Sequence, residues 1–154
     1  MDEDQYRKVY HALNPNRCVF EKSLNNRHCD CELKQRFLIA TREGIACGSE
    51  QALADCSLLL ETLRNKSRFA LKIITVDGPL PHNKELRVQA GGMLGLQKLV
   101  TPENKETPPR IGVTVHNIHQ TVVATLLKYE SVEKLPYSDI VKDIVTYPVR
   151  KKRR

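Results

Sequence analysis

The sequence predicts a mostly α-helical fold, a single small helical domain with little or no β-sheet and at most one or two short strands. Three observations carry that expectation. Apolar residues recur at helical spacing in several separate segments. Good capping and stop residues stand at the ends of those segments. Runs rich in Ile and Val are confined to two short stretches.

In residues 3–13, Tyr6, Val9, Tyr10 and Leu13 are spaced i, i+3, i+4, i+7, an amphipathic helix ended by Asn14-Pro15-Asn16. Residues 17–27 are mixed and suggest a short helix carrying Val19, Phe20 and Leu24 before a polar turn. A second clear helix is expected over about 32–43, with Leu33, Phe37 and Ala40 as its stripe and Gly44 as its C-terminal cap. Ser49 is a good N-cap for a third helix reaching about Asn65, whose apolar face is Leu53, Cys56, Leu60 and Leu63, widened by Leu59. "RFALKIITV", 68–76, reads as a strand or extended connector, and 77–81 as a turn.

Residues 83–100 read as another helix in spite of Gly91, Gly92 and Gly95. Each glycine costs about 1 kcal/mol against alanine in a helix interior, and close helix packing is the expected compensation. The stretch lacks the Lys-Ser/Thr of a phosphate loop, so no nucleotide site is read there. A proline-bearing loop, 101–110, separates residues 1–100, the cysteine-bearing region, from a C-terminal helical region, 111–147. Within the latter, "IGVTV" suggests a short strand, 117–130 a helix bearing Ile118, Val122 and Leu126, and "YSDIVKDIVTY" a last short helix. Residues 148–154 form a basic tail.

The 154 residues suit one domain able to bury a core without covalent staples. Aromatics at 5% and the absence of tryptophan argue against stacking platforms for single-stranded nucleic acid. No apolar run reaches the length of a membrane span. The acidic N-terminus is unlike a secretory leader, so a cytoplasmic location with reduced thiols is expected. Of the net charge of +7, Arg150, Lys151, Lys152, Arg153 and Arg154 supply five, leaving the rest of the chain at +2. Such a tail suits nucleic acid or an acidic partner, or is a disordered solubilising end.

All five cysteines, Cys18, Cys29, Cys31, Cys47 and Cys56, fall between residues 18 and 56. Cys56 sits on an apolar helical stripe and reads equally well as a small core hydrophobe. Cys29 and Cys31 stand among Arg27, His28, Asp30 and Glu32, where nothing would bury them. Zinc holds four sulfurs at about 2.3 Å, commonly through paired Cys-x2-Cys turns, a spacing this chain lacks. Across Cys29-x-Cys31 an extended backbone separates the Cα atoms by roughly 6.6 Å and turns the side chains to opposite faces. A polynuclear cluster accepts such splayed sulfurs more readily than a single ion.

A 4Fe-4S cluster is also anionic and is favoured at helix N-termini. Helices expected to begin near Glu32 and after Ser49 would place Cys29, Cys31 and Cys47 at two such ends. Arg17, Arg27 and His28 are candidate charges around the cluster. The expected ligands are Cys18, Cys29, Cys31 and Cys47, with Cys56 as the alternative fourth and His28 or Glu21 as variants.

The sequence thus points first to a small iron–sulfur protein for electron transfer, redox sensing or cluster delivery to a larger protein partner. The alternatives are a structural-zinc module with a nucleic-acid- or acidic-partner-contacting tail, and a metal-free scaffold or assembly factor. No local nucleophile–base frame or small-molecule substrate site is legible, and "HNIH", His116 and His119, reads as surface or cap chemistry. The reading therefore leans away from an enzyme.

Overall fold

A computed structural model describes residues 3–39, 41–73, 80–101 and 115–149. The chain is mostly helical, with one two-stranded sheet. In order the elements are α1 (Glu3–Leu13), α2 (Glu21–Asn25), β1 (Lys34–Ile39), β2 (Arg42–Cys47), α3 (Glu50–Ser67), α4 (His82–Leu86), α5 (Gly92–Val100), α6 (Ile118–Tyr129) and α7 (Tyr137–Thr146). A π-helical turn, Arg87–Gly91, joins α4 to α5 without a break. A 3-10 turn, Val132–Lys134, precedes α7.

The helix expected over 32–43 is instead an antiparallel hairpin, with Lys34 opposite Cys47 and Ile39 opposite Arg42. The four-residue spacing of Leu33 and Phe37 imitates a helical stripe, but Phe-Leu-Ile favours a pleated strand once a partner is available. Gly44 has a different task from capping. It lies opposite Phe37, and a Cβ there would stand 2.5 Å from the ring's Cζ. The aromatic ring covers the glycine.

Ser49 caps α3 as expected, its hydroxyl accepting from Ala52 N at 3.2 Å. Leu59, Leu60 and Leu63 of α3 are buried against a bundle formed with α5, α6 and α7. One continuous core links Phe20, Leu24 and Ile45 of the N-terminal half to Met93, Leu96, Ile118, Ile140 and Ile144. Leu13, at the end of the expected α1 stripe, is exposed; only Tyr10 of that helix is buried.

The glycines of 91–95 serve close packing, since α7 lies directly across Gly91 and Gly95, and Leu63 of α3 across Gly92. Two buried carboxylates tie the halves internally. Glu21 accepts from Tyr10 Oη and from Ile45 N at 2.8 Å. Glu85, 1% exposed, accepts from Arg64, from Gln89 Nε2 at 3.0 Å and from Leu80 N at 3.3 Å. Each buried charge is thereby partnered, as burial requires.

Of the strands expected at 68–76 and 111–115, residues 68–72 are turns and 73 is irregular, while 74–79 and 111–114 lie outside the described residues, as do 150–154 of the tail and Ala40. Val115 makes a single parallel bridge to Cys29. No helix among the described residues is long and apolar enough to cross a membrane.

Candidate metal centre

Four segments bring four thiols to one place. Residues 16–18 run beside the end of β2, where Cys47 N donates to Asn16 O at 2.8 Å and Cys18 N to Ile45 O at 3.0 Å. That pairing sets Cys18 next to Cys47. Cys31 lies in the bend leading to β1, which is held to the end of β2 by Gly48 N donating to Leu33 O at 2.9 Å. Cys56 comes from the second turn of α3, whose start is fixed by Ser49.

Cys18, Cys31, Cys47 and Cys56 together line a cavity of about 20 Å³. Its walls are largely apolar, with Phe20, Leu33, Leu53 and Ile118 among them, and His119 completes the lining. Cys29 is not part of it. Its thiol is 2% exposed, in the core beside Ser23. Cys29 and Cys31 thus face different ways from an extended stretch, the outcome that strand geometry dictates for a one-residue gap.

Helix ends contribute, though not the pair expected. Cys31 precedes a strand, so no helix starts behind it. Its place is taken by α6, whose first residues Ile118 and His119 border the cavity. This end is hooked to the cysteine loop by Asp30 N donating to Val115 O and Ile118 N donating to Asp30 O, both at 2.9 Å. The nearby backbone N–H groups of Leu33 and His119 favour the thiolate of Cys31, and that of Phe20 the thiolate of Cys18. Cys47 Sγ–H donates to Ser49 O at 3.3 Å.

The charges expected around the site lie elsewhere. Arg17 pairs with Glu21 at 3.2 Å and lies over the Tyr10 ring. His28 Nδ1 is 2.7 Å from Tyr147 Oη, and burial lowers its pKa, favouring the neutral ring. Arg27 borders a different cleft. His119 was passed over in the sequence because its spacing with His116 reads as surface chemistry. The signal for it was Asn117, the N-cap that places His119 in the first turn of α6. Its Nε2 stands 3.9 Å from Glu32 Oε1.

Desolvation pushes the Cys18 and Cys56 thiols up to about 12, and the neighbouring cysteines add to the rise in both. Burial raises Cys31 as well, opposed by its two backbone donors. Cys29 rises to about 12 for the same first reason. A raised folded-state value means stability that is complete below the ordinary thiol range and lost as pH climbs towards about 12. Burial raises Tyr10 and Tyr137 to about 12 too, so they act in the same direction. Urea unfolding of the metal-free chain should therefore show a lower midpoint at about pH 10 than at about pH 7. An equal or higher midpoint at the alkaline pH would contradict the burial of these groups.

Among the described residues no three His, Cys, Asp or Glu side chains are spaced to hold one metal ion. Cys18, Cys31, Cys47 and Cys56 instead share the lining of one small cavity. That space admits about one water-sized body, so a larger occupant requires the cysteine side chains to swing outward. Soft thiols and apolar walls are what this cavity brings together. Comparison of the chain with protein families, with curated proteins and with solved structures returned no match.

Proposed function

We propose that the chain is a small iron–sulfur protein in which Cys18, Cys31, Cys47 and Cys56 hold a 4Fe-4S cluster. The observation that carries this reading is the convergence of four of the five thiols, from four separate segments, on one apolar-walled cavity. Cys56 replaces Cys29 in the ligand set on that ground. The lack of Cys-x2-Cys pairs, the usual zinc turn, favours a cluster over zinc.

When bound, the cluster would supply one-electron chemistry. The chain's own part is to bring four sulfurs to one cavity, to set the Leu33, His119 and Phe20 amides near two of them, and to keep water out with Phe20, Leu53 and Ile118. Amide donors to sulfur and low solvent exposure are the levers by which a protein sets a cluster's potential. The ligating thiols must shed their protons, so loading releases protons and is favoured as pH rises.

The role that fits is electron transfer, redox sensing or cluster delivery to a larger protein. The tail, Arg150–Arg154, is read as the docking element for an acidic partner or for nucleic acid. The test of the central assignment is chemical: iron and inorganic sulfide should accompany the protein in equal amounts when oxygen is excluded throughout its preparation.

A further inference from the structure

Cys29 borders a second cavity, a polar cleft of about 370 Å³, within the size range of small-molecule sites. Its polar groups come from three parts of the fold: Asn25 at the end of α2, Arg27 and Asp30 from the cysteine loop, and Lys34, Arg36 and Glu43 from the hairpin. Lys34 is bonded to Asp30. Arg36 Nη1 lies 3.2 Å from Glu43 Oε2 and 3.5 Å from Asn25 Oδ1. Both carboxylates are thus engaged, and the cleft keeps one cation over. That cation is Arg27, whose guanidinium bonds no side chain among the described residues.

The backbone at Arg27 is also unusual, with φ 60. Its N–H donates to Leu24 O at 3.1 Å and ends α2, while His28 N and Cys29 N both donate to Ser23 O. A left-handed conformation is disfavoured for a residue other than glycine, and such strain gathers at ligand sites. Glycine or asparagine would suit the turn better.

We propose that this cleft binds a small oxyanion, the carboxylate or phosphate of a soluble ligand, with Arg27 as its principal contact. A guanidinium presents a planar fork of donors that matches both groups. The unbalanced positive charge, set in a concave polar site, raises the local concentration of anions. The inference stands apart from the metal reading, because none of these polar groups lines the thiol cavity.

The test is a titration of the full-length chain at low ionic strength with inorganic phosphate and, separately, with citrate, followed by backbone amide shifts and calorimetry. Saturable binding of one probe, with shifts centred on Asn25, Arg27, Arg36 and Glu43, is the expected result, and the probe that binds identifies the oxyanion. Arg27→Gln should weaken that binding roughly tenfold or more. Arg27→Gly should weaken it equally while relieving the backbone, which separates the role of the charge from any damage to the fold. Removal of residues 150–154 should leave the binding in place. The proposal is overturned if neither probe saturates, if both Arg27 variants bind like the parent, or if loss of the tail alone abolishes binding.

Discussion

Replacing Cys56 by serine should abolish the iron and sulfide content that the proposed cluster would give the chain, and replacing Cys29 by serine should not. This contrast is the largest effect expected, because the sequence favours Cys29 as a ligand and offers Cys56 only as an alternative fourth, whereas the structure sets Cys56 and not Cys29 at the shared cavity. Cys56 stands on α3 with its thiol at the cavity shared with Cys18, Cys31 and Cys47, and each of those three adds to its raised pKa. Cys29 borders the polar cleft instead and lies buried beside Ser23. A serine at 29 can donate to the Ser23 hydroxyl oxygen beside it, which offsets part of the roughly 1–3 kcal/mol cost of burying an unsatisfied hydroxyl. A serine at 56 takes away one of four soft ligands and nothing else nearby replaces it. Iron and sulfide assays on the two variants, with unfolding curves to show that both fold, check the result. Retention in the Cys56 variant together with loss in the Cys29 variant would return Cys29 to the ligand set.

Gly91→Ala should destabilise the chain by about 3 kcal/mol, at the upper end of the cost of overpacking a core. A Cβ at Gly91 would lie 2.7 Å from Ile144 Cα and 2.9 Å from Asp143 O, both main-chain atoms of α7. Neither can yield unless the whole helix moves, and moving it strains the contact of Tyr147 with His28. Gly95→Ala is the internal control. Its Cβ would meet Ile140 Cα and Asp143 Oδ2 at 3.3 Å, a tight approach that small shifts relieve. Alanine's helix propensity, worth about 1 kcal/mol over glycine, offsets much of that cost. Urea unfolding of both variants measures the difference. A Gly91→Ala variant within about 1 kcal/mol of the parent would mean that α7 does not sit against the glycines.

The helices were legible wherever spacing and caps agreed. Ser49 announces α3, and Ile118, Val122 and Leu126 follow the period of α6 behind Asn117. The hairpin was not legible, because Leu33 and Phe37 fall four apart and Gly44 stands where a helix cap would. Only the pairing of Phe37 with Gly44 shows what the glycine is for. At the site, the opposed facing of Cys29 and Cys31 follows from the one-residue gap, whereas the partner of Cys31 does not. Cys56 lies on the same helical stripe as Leu53 and Leu60, so cavity wall and core are indistinguishable in one dimension. His119 and the polar cleft were hidden for a related reason: each depends on segments far apart in the chain coming to rest against the cysteine loop.

The most direct measurement is the iron, acid-labile sulfide and zinc content of the full-length protein, prepared without oxygen. The expected result is a brown protein with iron and sulfide in equal amounts, at the stoichiometry of one 4Fe-4S cluster per chain, bleaching on exposure to air. A colourless protein holding one equivalent of zinc, or no metal at all, would contradict it.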